Sequence, residues 1–270
     1  MNIGFVDYYL SEWHANSYPT WIKEFSDELC VKYAWAEEYV SPVDKINTDE
    51  WCEKYGVERC NTLAELCEKS DFIIILSPSN PEKHLEYARE ALKHGKNTYI
   101  DKTFAPSYEE AAEIFRLAEQ YGTKFFSTSA LRYATELETV AGSQNLITTG
   151  GGSNLEEYVI HQIEMAVKTL KAEPMAIKLD IQGNQVIWTV AFDNEGKWTG
   201  IYSPYIPFTV CGDKGYQAVT SKFFPTLISV MLDFFKTGVL PFDTNETLRA
   251  MKIRDAILRA YKLPGEWLNV

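Results

Sequence analysis

The sequence contains no run approaching 18 apolar residues, and Met1-Asn2-Ile3-Gly4-Phe5 begins directly on strand-type residues without a basic leader, so neither a membrane-crossing helix nor a signal peptide is expected. Positive charge is scarce. There are 26 Lys and Arg against 38 Asp and Glu, a formal net charge of −12, and no Lys/Arg cluster supplies the basic face that phosphate backbones require. Nucleic acid is therefore disfavoured as a partner, and the surplus of acid favours solubility. The five cysteines, Cys30, Cys52, Cys60, Cys67 and Cys211, form no C-x-x-C pair and are odd in number. That pattern fits reduced thiols in a cytoplasmic protein better than a disulfide framework. Four dispersed histidines give no metal-ligand pattern. Internal repeats, low-complexity tracts and Pro/Gly/Ser linkers are also missing.

What remains is a chain of 270 residues, 46% hydrophobic and 24% charged, long enough to bury a sizeable core in one or two domains. Its first part alternates strand and helix, the pattern of a parallel sheet. Asn2 to Asp7 reads as a strand, Tyr18 to Glu28 as a helix and Cys30 to Glu37 as a second strand. Asp49 to Tyr55 is helix-like, Thr62 with Glu65 marks a capping box, and Phe72 to Leu76 is a continuous apolar strand of the kind buried on both faces. Asn80 as N-cap and Pro81 at the first helical position open a helix bearing His84. After Thr123 to Ser127, one more strand, the pattern changes. A helix is expected near Tyr133 to Val140 and another from about Asn154 to Lys171, around the run Gly150-Gly151-Gly152. Strands Pro174 to Gln182, Gln185 to Asp193 and Lys197 to Ser203 are separated by the hairpin signals Gly183-Asn184 and Asn194-Glu195-Gly196. Helices Phe223 to Thr237 and Asn245 to Tyr261 close the chain. The reading is an α/β protein: a Rossmann-like, doubly wound parallel sheet over residues 1–128, then a smaller α+β domain with a mostly antiparallel sheet over 129–270, with the active site expected between them.

Chemistry concentrates at Tyr99-Ile100-Asp101-Lys102-Thr103-Phe104-Ala105-Pro106. An acid and a lysine there end an apolar strand just before a helix from Tyr108 to Tyr121, which Ser107 and Glu110 open as a second capping box. In open α/β folds that crevice is where ligands bind. A second pair, Glu157 and His161, lies four residues apart on a predicted helix and so on one face. Aromatic residues, 14% of the chain, include Trp13, Trp21, Trp35, Tyr202 and Tyr205, types suited both to cores and to stacking on sugar faces.

Taken in order, Asp71-Phe72-Ile73-Ile74-Ile75-Leu76-Ser77-Pro78-Ser79-Asn80, then His84, then Ala91-Leu92-Lys93-His94-Gly95-Lys96, then Asp101-Lys102, this sequence resembles the glucose-fructose oxidoreductase / inositol dehydrogenase (Gfo/Idh/MocA) family. That family carries a strand ending in T-P-N, a helix with His, A-L-E-A-G-K, and a strand ending in E-K-P. Val210-Cys211-Gly212-Asp213-Lys214-Gly215 likewise matches its V-x-G-T-K-G turn. Asp101 replaces the family Glu, Thr103 replaces its Pro, and the stretch from Asn80 to His84 is one residue longer. The resemblance implies an NAD-dependent oxidoreductase acting on a sugar, polyol or related hydroxy compound, and a homo-oligomer joined through the second sheet. It places Lys102, Glu157 and His161 around the carbon that exchanges hydride, with His161 as base, Lys102 polarising the oxygen and Glu157 orienting the imidazole or a substrate hydroxyl. Along the cofactor it places Ser77, Asn80, Asp101 and also Lys102, with Arg132, where the family carries N-R, contacting the cofactor or a substrate carboxylate. Glu37, at the end of the second strand in Ala36-Glu37-Glu38, suits the adenosine ribose and would repel a 2′-phosphate, which favours NAD over NADP.

The departure lies after the first strand, where a dinucleotide fold needs G-x-G-x-x-G. Aligning His14 with the family histidine puts Val6, Tyr8 and Ser11 at the three glycine positions, with Asp7 and Glu12 beside the place of the phosphates. His14 and His84 are positions either for the cofactor cleft or for packing, and His94 for a helix C-terminus. The lost glycines keep a second reading open: a cofactor-free relative that binds a carbohydrate or other partner, or performs acid–base, lyase-type chemistry in the same cleft.

Overall fold

β-branched and aromatic runs form the strands of two sheets. In the computed structural model, which describes residues 1–270, the chain separates into unit 1, Met1–Thr128 with Pro225–Thr244, and unit 2, Ser129–Phe224 with Asn245–Val270.

Unit 1 alternates β1 (Asn2–Asp7), α1 (Trp13–Phe25), β2 (Cys30–Ala36), α2 (Thr48–Tyr55), β3 (Glu58–Arg59), α3 (Leu63–Lys69), β4 (Phe72–Ile75), α4 (His84–Ala91), β5 (Thr98–Ile100), α5 (Tyr108–Tyr121) and β6 (Phe125–Phe126). The strands pair in parallel in the order β3-β2-β1-β4-β5-β6. That order reverses direction between β1 and β4, the switch point at which such sheets bind ligands. Ile73, Ile74 and Ile75 are fully buried, as a strand covered on both faces requires. Gly4 marks a close approach: a Cβ there would stand 2.3 Å from Ser70 Oγ on the covering layer.

The capping signals are met in part. Ser107 Oγ accepts from Glu110 N at 3.2 Å to start α5, and Thr62 Oγ1 accepts from Glu65 N, while the Glu65 carboxylate takes Asn61 N instead of completing a box. Asn80 does not cap. Pro81–Lys83 is a 3₁₀ turn leading into α4, and the Asn80 amide donates to Glu82 Oε1 at 2.9 Å. The first helix starts at Trp13 rather than Tyr18, with Pro19 in its interior.

Unit 2 contains β7 (Asn145–Gly150), α6 (Leu155–Leu170), β8 (Pro174–Gln182), β9 (Gln185–Phe192), β10 (Lys197–Tyr202), β11 (Thr209–Gly212) and β12 (Gly215–Ala218); after α7 (Phe223–Thr237) come α8 (Asn245–Tyr261) and β13 (Trp267–Asn269). The sheet order is β12-β11-β7-β10-β9-β8-β13, antiparallel except where β7 and β10 run parallel. The helix expected at Tyr133 to Val140 is two 3₁₀ segments, Ala130–Tyr133 and Thr135–Val140. Trp188 and Trp198 meet edge to face at 5.5 Å in the core under α6 and α8. Gly200 makes room for them, since a Cβ there would lie 2.1 Å from the Trp188 ring. From Pro225, α7 returns to unit 1, where Phe235 stacks on Phe72 at 4.9 Å and Phe234 meets Phe126 edge-on. No helix is long and apolar enough to cross a membrane.

Candidate active site

The end of β1 and the loop after it form one side of the site. Asp7 is 1% exposed; its Oδ1 accepts from Tyr8 N at 2.7 Å and Ser77 N at 3.0 Å, while its Oδ2 has no partner. Ser77 reaches it from the end of β4 in a left-handed conformation, φ 50°, that a residue other than glycine holds only when its surroundings fix it. Burial, then the charges of Glu12 and Asp101, push the Asp7 carboxyl well above the usual carboxylate range, against the backbone bonds that pull it down. Ser11 is turned away, donating to Asp44 Oδ2 at 2.7 Å.

Glu12 is the N-cap of α1. Its carboxylate accepts from His14 N at 2.8 Å and from Ala15 N, and it also meets His14 Nδ1 at 3.1 Å. The other ring nitrogen of His14 lies 3.7 Å from Asp101 Oδ2. Asp101, 1% exposed at the end of β5, also has the Tyr99 hydroxyl 3.1 Å from its Oδ1 and Lys102 Nζ 3.9 Å from its Oδ2. Lys102 Nζ donates to Pro78 O at 3.2 Å. Glu12, His14, Asp101 and Lys102 thus form a chain of charged and titratable groups at the carboxyl edge of the parallel sheet. Tyr18, wholly buried behind His14, has a hydroxyl pushed well up by burial and then by Asp101 and Glu12.

His84 is a clamp. Its ring nitrogens face Leu76 O at 2.7 Å and Phe104 O at 3.0 Å, joining the end of β4 to the segment after Lys102, and burial holds its pKa down against those two carbonyls. Glu37 is engaged as well: Oε1 takes Lys83 Nζ at 2.5 Å and Oε2 takes the Tyr87 hydroxyl at 2.7 Å. Burial works to raise its pKa, and the Lys83 and Tyr87 bonds outweigh it. Lys83 also lies over the Tyr8 ring, 5.5 Å from its centroid.

The remaining sequence-predicted residues belong to unit 2. Glu157 occupies the first turn of α6, where Asn154 Oδ1 accepts its N–H at 2.8 Å. His161 follows one turn on, half-buried, with Nδ1 2.6 Å from Ser129 Oγ and the Tyr158 and Phe208 rings beside it. Arg132 is 5% exposed and bridges Glu164, at 3.0 Å, and Glu246. The glycine run before α6 is a close-packing device: a Cβ on Gly150 would fall 2.3 Å from Phe208, and one on Gly151 2.2 Å from Ser203 O.

Lys83, Tyr87, Tyr99 and the capping role of Glu12 carry no local sequence signal; Ser, Thr, Asp and Asn, not Glu, mark helix caps. Whether a dinucleotide suits this edge is answered at α1. Its N-terminal N–H groups hold a carboxylate, an oxyanion standing in for a phosphate oxygen pair. The residues fit a pyrophosphate once Glu12 leaves, and oppose one while it stays.

Residues 36–129 match the model of an oxidoreductase family with an NAD-binding Rossmann fold. The match begins after β1 and the loop that holds Glu12. An uncharacterized oxidoreductase of Escherichia coli, YhhX, is 35% identical over 60 residues, 22% of this chain and 17% of that protein. The chain therefore aligns with less than a fifth of that relative's length. Among solved structures, a myo-inositol dehydrogenase from Lactobacillus casei in complex with NAD(H) and myo-inositol is 11% identical with a TM-score of 0.81, covering 100% of this chain and 96% of that one. A probable dehydrogenase from Thermotoga maritima is 14% identical with a TM-score of 0.79, covering 100% and 98%. Likeness at these identities establishes the two-domain fold.

Proposed function

We propose, from the match of residues 36–129 to the model of an oxidoreductase family with an NAD-binding Rossmann fold and from the resemblance to the Gfo/Idh/MocA family, that this chain is a nicotinamide-dependent oxidoreductase that exchanges hydride with a hydroxy compound of the polyol or sugar class. The observation that carries the reading is the Asp101–Lys102 pair at the carboxyl end of β5, backed by His14. When bound, the nicotinamide supplies the acceptor or donor of hydride. The chain's own part is to manage the proton and the developing charge on oxygen. An ammonium has three N–H donors, and Pro78 O takes one from Lys102. The others are available to polarise a substrate oxygen and stabilise an alkoxide, a role Asp101 supports by fixing the ammonium. His161 is the proposed base for the hydroxyl proton, with Glu157 one turn before it to hold a substrate hydroxyl. The polyol class is supported by the Lactobacillus casei relative crystallised with myo-inositol. Glu37 favours NAD, since an acid at the end of β2 suits a free ribose diol and repels a 2′-phosphate.

Calorimetric titration with NAD, NADH and NADPH, with Lys102→Ala as comparison, tests the proposal, followed by hydride exchange on a polyol panel. We expect NAD(H) to bind more tightly than NADPH, and Lys102→Ala to keep nucleotide binding while losing about 100-fold or more in turnover, the usual size of an electrostatic stabiliser. If His161 serves the same reacting carbon, the losses of Lys102→Ala and His161→Ala are strongly non-additive. Absence of any nucleotide binding at millimolar concentration supports instead the cofactor-free reading, which the Glu12 cap favours.

A further inference from the structure

We infer that Glu12 is an internal competitor for the pyrophosphate of the dinucleotide, and that its carboxylate sets the affinity of the cofactor site; the inference rests on the oxidoreductase reading above. The donors that a pyrophosphate needs at α1, the N–H groups of His14 and Ala15, are both committed to this one carboxylate. Two oxyanions cannot share them. The positive end of a helix dipole binds whichever anion is there, so the cap that stabilises α1 without a ligand opposes the ligand by the same interaction.

A second feature of the same edge is a buried carboxyl with one unpartnered oxygen. Asp7 is 1% exposed, its Oδ2 lacks any partner, and Glu12 is the foremost charge acting on it. Burial and that neighbouring charge favour the protonated acid. Asp7 stands at the end of β1, and a carboxyl that keeps its proton there has an O–H to donate. Glu12 takes the helix donors and leaves that oxygen unsatisfied.

Glutamate suits the role through its length. Ser, Thr or Asp at the same position would cap the helix from a short, fixed stem. The Glu12 stem carries two methylenes, and rotation about them would withdraw the carboxylate, 8% exposed where it caps the helix, without moving the backbone. Withdrawal would also part Glu12 from His14 Nδ1, while the other ring nitrogen stays 3.7 Å from Asp101 Oδ2, so nucleotide arrival and the charge balance at Lys102 are linked through one imidazole.

The test measures binding of NADH and of inorganic pyrophosphate to the wild type, Glu12→Ser and Glu12→Gln by calorimetry, with thermal unfolding and circular dichroism alongside. Serine keeps a neutral cap and so keeps the helix, while Gln keeps the size and removes the charge. The expected result is that both ligands bind Glu12→Ser about tenfold more tightly than wild type, the scale of a full charge at a helix N-terminus. Glu12→Gln should gain in the same direction, and ligand-induced stabilisation should rise in parallel. Equal or tighter binding by the wild type overturns the competition while leaving the oxidoreductase reading standing. Pyrophosphate gained by Glu12→Ser with NADH bound by neither protein sinks the oxidoreductase reading and, with it, competition against a dinucleotide, leaving Glu12 a competitor of the free anion alone. If Glu12→Ser binds neither ligand, the competition is overturned. Should Glu12→Ser fail to fold, the sign of the change in Glu12→Gln decides.

Discussion

Asp7 gives one oxygen to the backbone and leaves the other without a partner, which ties the stability of unit 1 to pH. Its carboxyl is raised by burial and then by Glu12 and Asp101, so between the unfolded value, about 3.9, and the raised folded value the native state binds more protons than the unfolded chain. The contribution to stability is therefore complete below about pH 4 and is lost as pH rises through the folded value. Asp7→Asn keeps an acceptor for Tyr8 N and Ser77 N and removes the ionisation. The melting temperature of Asp7→Asn minus that of the wild type should accordingly increase from acid towards neutral pH; a difference that is flat or declines would show that Asp7 ionises freely. At this scale the sequence named the chemical types and left their partners unseen. Lys102, Asp101 and Glu37 were legible because each ends a strand. That Glu37 is held by Lys83 and Tyr87, 46 and 50 residues away, was not, since such pairs arise only when β2 and α4 are packed. Arg132, expected near cofactor or substrate, is bound to Glu164 and Glu246 by the same long-range logic.

At the scale of elements, period and caps located most of the structure. Helix Tyr108–Tyr121 has a serine N-cap and a left-handed Gly122 after it, and strands Pro174–Gln182 and Gln185–Phe192 flank a hairpin turn, so each carries its boundaries in its own residues. Asn145–Gly150 was missed because its alternation is short and its partners, β10 and β11, come about fifty to seventy residues later. The start of α1 was missed because a proline normally sits in a first helical turn, whereas Pro19 lies inside. For α7 the range was legible but the seat was not: periodicity shows that a helix buries a face, without saying against what. Unit 1 provides the seat. Asn97 Nδ2 donates to Phe234 O and Phe235 O, Lys124 Nζ donates to Gly238 O, and these satisfy carbonyls that a helix end leaves open. Phe235, 2% exposed and stacked on Phe72, anchors it. Phe235→Ala should cost about 3–5 kcal/mol by denaturant unfolding. Hydrogen exchange should then accelerate in β4 and β5 together with α7, and acceleration confined to unit 2 would contradict this seat.

For the whole molecule, the second sheet raises the question of what covers it. Its strands alternate: Leu146, Thr148, Trp188, Val190, Trp198 and Val210 are buried. Ile147, Thr149, Ile187, Thr189, Thr199 and Ile201 take the opposite face, and the registers set Ile147 beside Thr199 and Thr199 beside Thr189. Ile147 is 46% exposed, the other five are half-buried, and all six are β-branched and uncharged. Charged side chains are what a solvent-facing sheet ordinarily carries, and this face has them only at its margins, at Lys197 where β10 begins and at Lys178 and Asp180 on β8. An uncharged, β-branched sheet face of this extent is suited to packing against another sheet at about 10 Å, and a second copy of this chain offers an identical one. We propose a homo-oligomer joined through it, as the family resemblance implies. Light scattering on the wild type should give a mass that is a multiple of 30.9 kDa. A lysine at the centre of the face, Ile147→Lys, should reduce that mass to the monomer, because a charge buried without a partner costs several kcal/mol at an interface and almost nothing on a surface. Thermal unfolding separates the outcomes. A monomeric variant with an intact transition confirms that the face joins two folded copies, whereas a wild type already monomeric at micromolar concentration removes the sheet face from consideration as an interface.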